Sequence, residues 1–169
     1  ARLGSSVRIL CWFGVPIAPE RGDMLPLVQG ALANLLAGQP PYTVYTMPWE
    51  VPLTYLPVTW LAYLPPHLLG LDIRLTNLLA ELGIGASLAA YLAMRPRSPG
   101  TPAWHHDPAL LLWGWLFLQP TALNWSLATT APVWWGILSI ILALVLLGRR
   151  YLAAVMLGLG LAASSLAAI

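Results

Sequence analysis

The stretch LTNLLAELGIGASLAAYLAM, residues 75–94, holds a single charged side chain, Glu81, among its twenty residues. About 20 consecutive apolar residues are enough for a helix to cross the hydrocarbon core of a bilayer. The stretch therefore predicts a transmembrane helix over Leu75–Met94. An ionisable side chain in lipid is costly unless it faces a partner or water, so we expect Glu81 to pack against Asn77 or Ser87.

The composition of the whole chain agrees with a lipid environment. Hydrophobic residues make up 59% of the sequence, charged residues make up 8%, and the mean hydropathy is +0.73. Soluble domains carry about 25% charged residues. Six acidic residues and eight arginines are too few to cover the surface of a soluble protein of this length. We therefore expect an integral, multi-pass protein of the cell membrane.

Net charge and cysteine content exclude several functional classes. The net charge of +2 is too small to indicate a nucleic-acid partner. The single cysteine, Cys11, excludes an internal disulfide and leaves no cysteine-based metal site. We predict neither a cofactor nor a bound metal.

Apolar segments on both sides of residues 75–94 predict the other spans. Val51–Leu69 contains four prolines and predicts a kinked helix, whose freed carbonyls must be satisfied by neighbouring helices or water. The predicted fold is all-α and multi-pass, with about five spans and one interfacial amphipathic helix. The remaining segments are part of a first helix in residues 1–18, a marginal helix at Ala109–Leu118, and a hairpin of Pro132–Leu147 and Tyr151–Ile169 joined by Gly148-Arg149-Arg150.

The interfacial helix is predicted at Met24–Ala37, which is too short to cross. Its leucines and Val28 recur at helical intervals, with Gln29 and Asn34 on the other side, as in helices that lie in the membrane interface. Gly38 and the prolines after it end this helix. Aromatic residues from Tyr42 onward favour the headgroup layer.

We interpret residues 1–169 as one transmembrane domain. It comprises the remainder of a first helix (1–18), an interfacial loop with the amphipathic helix (19–50), and the transmembrane helices (51–169). The chain starts at Ala1 without a methionine and stops at Ile169 inside an apolar run, so we expect it to be part of a longer polypeptide.

The orientation of the chain has two conflicting indications. The positive-inside rule places Arg149 and Arg150 in the cytoplasm, and Arg95 and Arg97 favour the same side. Counting the predicted crossings back from these arginines places Asp23 in the cytoplasm as well. If Asp23 is outside, one of the proline-rich or short segments does not cross.

Asp23 is the candidate catalytic residue, in the loop before the predicted amphipathic helix. One interpretation is an N-cap, because an aspartate there accepts free helix amides. The other is a general base at the mouth of a lipid-facing cavity, where partial burial tunes its pKa. The two roles are compatible.

The order of several short motifs resembles the N-terminal part of GT-C fold glycosyltransferases. The greatest similarity is to the bacterial mannosyltransferases that depend on polyprenol-phosphate sugars. The resemblance implies that Asp23 deprotonates the acceptor hydroxyl on the extracytoplasmic side, while a polyprenol-phosphate sugar enters from the membrane. The motifs are Gly22-Asp23, Pro41-Tyr42, Thr54-Tyr55-Leu56-Pro57, and Leu69-Gly70-Leu71-Asp72-Ile73-Arg74.

Other polar residues are candidates for substrate binding. Arg74 is suited to a phosphate, although a pair with Asp72 is the alternative. Glu50 either lines a sugar site or is a loop carboxylate. His105 and His106 are adjacent in one loop, where they either contact a phosphate or are solvated. Their spacing disfavours a metal site. The predicted substrate-binding residues are Tyr42, Glu50, Tyr55, Arg74, His105 and His106.

Three functions fit these features. The first is a membrane glycosyltransferase that moves a sugar from a polyprenol-phosphate donor to an extracytoplasmic acceptor. The second is a non-catalytic membrane subunit of a larger complex, which is favoured by the ends of the chain and by Ser164-Ser165, where the resembled enzymes often have a lysine. The third is a transporter fragment with broken helices. The expected partners are membrane lipid, the donor and protein subunits.

Overall fold

A computed structural model describes residue 10 and residues 14–94 and 127–163. In these ranges the chain is mainly helical, with one small β-hairpin. The elements are α1 (Met24–Leu36), β1 (Val44–Thr46), β2 (Glu50–Pro52), α2 (Pro57–Leu61), α3 (Leu64–Leu68), α4 (Leu75–Met94), α5 (Ala131–Leu146) and α6 (Arg150–Ala163).

The expectation of an all-α protein with about five spans is wrong. Among the described residues, only α4 is both long enough and apolar enough to cross a membrane. Helices α5 and α6 are apolar but have 16 and 14 residues. At about 1.5 Å per residue they reach roughly 24 and 21 Å, less than the roughly 30 Å of the hydrocarbon core. The predicted helix at Ala109–Leu118 lies outside the described residues.

Val51–Leu69 forms no continuous helix. Its first residues belong to strand β2, and the rest forms two helices of five residues each. Proline lacks an amide proton and has a fixed φ, so it fits the first turn of a helix better than the interior. Prolines accordingly stand in the first turn of both α2 and α3. These prolines start new helices, whereas the sequence predicted that they would kink one long helix.

Glycines end three of the helices, as predicted for Gly38. Gly38, Gly70 and Gly148 have φ values of 69°, 65° and 72°. After each, the next amide bonds back to a carbonyl in the last helical turn. The N–H of Gln39, for example, donates to the carbonyl of Asn34 at 2.8 Å. This is the Schellman arrangement, which favours glycine because a side chain disfavours positive φ.

Helix α1 forms as predicted, but protein covers its apolar face. Five of its side chains are at most 1% exposed, so this face packs into a core and is not open to a bilayer. Residues from the short helices and from α5 complete that core. The buried α1 residues are Leu25, Leu27, Val28, Ala31 and Leu32, and they meet Leu53, Trp60, Tyr63, Ile73 and Val133.

The β-hairpin packs against α1 and adds Tyr45, Met47 and Val51 to the edge of the same core. Its strands are antiparallel, with Tyr45 opposite Val51. The Tyr45 ring lies over Gly30, where an added Cβ would be 2.9 Å from two ring carbons. The Tyr45 hydroxyl donates to the carbonyl of Pro41 at 2.6 Å and accepts from Asn34 Nδ2 at 3.1 Å. The hairpin is thus held against α1 by one ring and its hydrogen bonds.

Helices α4, α5 and α6 form a small bundle. Contacts between α4 and α5 advance in the same direction along both helices, from Ala80 with Gly136 to Ser87 with Ser139, so the two helices are parallel. Helix α6 returns after Gly148 and packs Gly160 against Trp134 and Ile137. Close approach at glycines of this kind is common where helices cross.

The loop elements gather at the starting ends of α4 and α5. Gly22 contacts Ala128, just before α5, and an added Cβ there would be 3.1 Å from the Ala128 carbonyl oxygen. Arg149 and Arg150 lie at the other end of α5. Asp23 and this arginine pair are therefore at opposite ends of the bundle.

Candidate functional site

Asp23 is half-buried at the start of α1, and its side chain does not cap the helix. Its backbone carbonyl accepts the first helical bond, from the amide of Leu27 at 2.9 Å, but the carboxylate bonds to none of the free amides. The N-cap interpretation is therefore wrong for the side chain. The carboxylate is available for other contacts.

Tyr55 is the neighbour that the carboxylate influences. The residue is half-buried, and burial raises the pKa of its hydroxyl to about 12, with a smaller contribution from the negative charge of Asp23. Both causes disfavour the phenolate. Tyr55 therefore stays a protonated hydrogen-bond donor up to well above pH 10, within electrostatic reach of the Asp23 carboxylate.

Tyr42 fixes the backbone of Tyr55. Its hydroxyl donates to the Tyr55 carbonyl at 3.2 Å and accepts from Trp60 Nε1 at 3.2 Å. The rings of Tyr42 and Trp60 meet edge to face, with centroids 6.1 Å apart and planes at 80°. Trp60 is buried, whereas Tyr42 is 50% exposed. Three of the predicted site residues, Asp23, Tyr42 and Tyr55, are thus brought to one place.

A buried polar chain begins at Tyr63 and runs into the bundle. The Tyr63 hydroxyl donates to Asn77 Oδ1 at 2.5 Å, and Asn77 Nδ2 donates to the carbonyl of Thr129 at 2.9 Å. Burial, followed by the nearby Tyr55, raises the pKa of Tyr63. The sequence predicted no such chain. The available signal was Asn77, an amide in an apolar helix that requires polar partners.

Arg74 forms the ion pair that was the alternative to phosphate binding. The residue is 3% exposed, and its Nε lies 2.9 Å and 3.0 Å from the two carboxylate oxygens of Asp72. Its Nη1 also donates to the carbonyl of Val15 at 2.6 Å. This guanidinium holds the loop before α1 against the start of α4 and is turned into the protein.

The remaining predicted substrate-binding residues lie elsewhere. Glu50 is exposed in β2, where its backbone pairs with Thr46. His105 and His106 are outside the described residues. Within residues 14–94 and 127–163, no three His, Cys, Asp or Glu side chains come together as a metal site would require.

A cavity of about 360 Å³ opens behind the loop that carries Asp23. Most of its lining is apolar, and Arg21 is the charged residue in it. Arg21 and Pro16 are exposed, whereas Leu25 is buried, so the cavity runs from the surface to the base of α1. Asp23 is not part of the lining. The loop therefore has two sides. Asp23 lies outside the cavity, whereas Arg21 lies in its otherwise apolar lining.

Comparisons with protein-family models, curated proteins and solved structures find no match to this chain.

Proposed function

We propose that the protein is a membrane glycosyltransferase that moves a sugar from a polyprenol-phosphate donor to a hydroxyl acceptor. The observation that carries the proposal is the half-buried Asp23 carboxylate, which is not used to cap α1 and whose charge reaches the hydroxyl of Tyr55. A carboxylate held next to a neutral donor is suited to general-base chemistry.

In the proposed reaction, the acceptor hydroxyl transfers its proton to the Asp23 carboxylate. The acceptor oxygen attacks the anomeric carbon of the sugar as the bond from that carbon to the phosphate oxygen breaks. The electron pair of that bond stays with the leaving polyprenyl phosphate. Tyr55 donates a hydrogen bond at the same place, either to Asp23 or to a sugar hydroxyl, and Tyr42 keeps Tyr55 in position.

Exposed apolar side chains support a membrane location for the bundle. Helix α4 has the length and composition of a span, α5 packs along it, and α6 packs against α5. We infer that Arg149 and Arg150 face the cytoplasm, because cytoplasmic loops are enriched in arginine. Asp23 is then on the extracytoplasmic side. The exposed apolar residues include Leu79, Leu82, Val145, Leu152, Val155 and Leu159.

The test compares two carboxylates of the same loop in membranes from cells that produce the protein. Asp23→Asn keeps the shape of the side chain and removes the base, whereas Glu20→Gln changes an exposed carboxylate three residues earlier. Polyprenyl-phosphate sugars are supplied, and release of polyprenyl phosphate is measured. We expect a loss of about 100-fold or more for Asp23→Asn, the usual range for a general base, and none for Glu20→Gln. Equal activity of the two variants would exclude Asp23 as the base.

A second function, that of a non-catalytic membrane subunit, is favoured by α6. Most of its apolar side chains are exposed, among them Tyr151 at 93%. A helix of a partner protein would remove this face from water, just as lipid would. The discriminating measurement is the mass of the protein extracted from its native membrane in mild detergent. A stable complex with other proteins, together with normal sugar transfer in Asp23→Asn, would support this function.

A further inference from the structure

We infer that the turn Leu68-Leu69-Gly70-Leu71, between α3 and α4, is inserted among the headgroups of the bilayer that α4 crosses. The partner is the lipid surface, which takes up the three leucine side chains. The inference rests on the membrane location of α4 in the proposed function and is independent of sugar transfer. It assigns the interfacial contact to a turn, whereas the sequence predicted it for the amphipathic helix α1.

The turn presents its leucines to the outside of the protein. Leu68, Leu69 and Leu71 are 59%, 73% and 49% exposed. The backbone fixes them there, because the Leu71 amide donates to the carbonyl of the buried Pro66 at 2.9 Å. Gly70 supplies the positive φ that this closed turn requires. The three side chains are therefore held outward by a turn that is anchored in the core.

The backbone of such a turn does not require leucines. The turns at Gly38 and Gly148 have the same pattern of hydrogen bonds, and each has a polar residue after the glycine. Turns of this kind often include one apolar contact between the residue after the glycine and the helix, which would account for Leu71. That contact does not account for Leu68 or Leu69.

The surface around the turn lacks the charges of a surface that faces water. From Met24 to Leu71 the sequence contains one charged residue, Glu50. A soluble protein surface needs about 25–35% charged residues. These residues nevertheless fold around a core that α1 and the short helices build, so their outer side chains need a solvent of their own. An uncharged outer surface favours lipid over water.

The position of the turn relative to α4 favours lipid over a protein partner. Helix α4 has 20 residues and a length of roughly 30 Å, which matches the hydrocarbon core, so Leu75 lies at the boundary of that core. A turn bond from the Leu75 amide to the Asp72 carbonyl, at 3.0 Å, keeps the chain compact before the helix. At about 2–3 Å per residue, Leu71 lies within about 10 Å of this boundary, close to the depth of one headgroup layer.

The turn should insert into lipid without net charge. It contains no arginine, and Arg74, which follows it, is buried and paired with Asp72. Insertion then depends on the apolar area of the leucines and not on attraction to anionic headgroups. Zwitterionic lipid is therefore sufficient as the partner.

Spin labels measure the depth of the turn in the full chain, reconstituted in phosphatidylcholine vesicles. Cys11 is the single cysteine, so Cys11→Ser provides a background in which one position at a time is labelled. The labelled variants are Leu69→Cys in the turn, Leu82→Cys on the exposed face of α4, and Glu20→Cys at an exposed position of the loop before α1. The measured quantity is the collision rate with oxygen, which concentrates in lipid, divided by the collision rate with a water-soluble nickel complex.

We expect this ratio to rise from Glu20→Cys through Leu69→Cys to Leu82→Cys. A second label in the turn, Leu68→Cys, should agree with Leu69→Cys, so the result does not depend on one variant. Equal ratios for Glu20→Cys and both turn variants would overturn the inference. Replacing part of the phosphatidylcholine with phosphatidylglycerol should leave the ratio at Leu69→Cys unchanged. A ratio that rises only with anionic lipid would overturn insertion by the leucines.

The label at Leu82 separates this inference from the proposed function. If Leu82→Cys lies in lipid while Leu69→Cys lies in water, α4 crosses the membrane and the inserted turn is wrong. If Leu82→Cys lies in water, the membrane location fails and the inserted turn fails with it. Asp23→Asn should leave all these ratios unchanged whether or not it transfers sugar, so a failure of the proposed base does not affect this test.

A protein that covers the turn would give a different signature. Collision rates at Leu69→Cys would then be low with both oxygen and the nickel complex. Dipolar broadening that disappears on dilution with unlabelled protein would identify the covering protein as a second copy of this chain. Either result would overturn the lipid contact.

Discussion

The carboxylate of Asp23 lies close enough to the phenol of Tyr55 for its charge to raise the pKa of that phenol. The two residues are 32 positions apart in the sequence and belong to different elements, the start of α1 and the turn before α2. The hydrogen bond from Tyr42 to the Tyr55 carbonyl and the packing of the hairpin on α1 bring them together. This relationship defines the candidate site.

The pKa of Tyr55 should respond to the charge of Asp23. In Asp23→Asn we expect it to fall from about 12 towards, but not to, the ordinary value of 10.0, because burial is the larger cause of the shift. The measurement is phenolate absorbance against pH, with the Tyr55→Phe titration subtracted. Glu20→Gln is the control and should leave this difference curve unchanged.

The same shift makes the stability of the fold depend on alkaline pH. The folded state holds the Tyr55 proton more tightly than the unfolded state, so its contribution is complete below pH 10 and is lost between pH 10 and about 12. Tyr55→Phe should show a smaller loss of unfolding free energy over that window, measured by chemical denaturation. An unchanged slope in this variant would contradict the assigned pKa.

Arg74 should contribute to the stability of the fold and should not bind a substrate phosphate. Arg74→Gln leaves Asp72 without its ion pair and frees the Val15 carbonyl. We expect the free energy of unfolding to fall by about 2–3 kcal/mol, below the value for a fully buried pair because the Asp72 side chain is 33% exposed. Arg150→Gln, at an exposed position, should cost little. Unchanged stability of Arg74→Gln would contradict this assignment.

Gly30 should not tolerate a methyl group. An added Cβ would be 2.9 Å from the Tyr45 ring, so Gly30→Ala must displace the hairpin from α1. We expect a loss of about 1–3 kcal/mol in unfolding free energy, as for other overpacked cores. Gly83→Ala, in α4 with no atom within 4 Å of the added Cβ, should instead stabilise by up to about 1 kcal/mol. Thermal unfolding in detergent checks both.

Gly136, at the contact between α5 and α4, should not tolerate an added methyl group either. Its added Cβ would be 3.1 Å from the carbonyl oxygen of Ala80, a backbone atom that cannot rotate away. We expect Gly136→Ala to lower the melting temperature and to separate the two helices. Gly158→Ala, in α6 with open space around the added Cβ, is the matched control. Similar melting temperatures for the two variants would contradict the α4–α5 contact.

Local patterns in the sequence were reliable where they concern one element. The helix at Leu75–Met94 has the predicted bounds, α1 lies within the predicted Met24–Ala37, and α5 and α6 flank the Gly148 turn as expected. Helical periodicity and glycine breakers act within a few residues, so no distant contact is needed to recognise them.

Patterns that depend on distant partners were misleading. The apolar run Val51–Leu69 has the composition of a span but forms a strand and two short helices. Hydrophobicity alone does not distinguish burial in protein from burial in lipid, since both remove apolar surface from water.

The amino-acid order by itself determined helices α1 and α4, the turn at Gly148 between α5 and α6, where glycine ends helices, and how few charges the surface carries. Only the tertiary structure decided that the apolar face of α1 is covered by protein, that Arg74 is bound to Asp72 and Val15, and that Asp23 meets Tyr55. The physical reason is that helix formation is set by neighbours along the chain. The environment of a side chain is set by whichever distant segment folds against it.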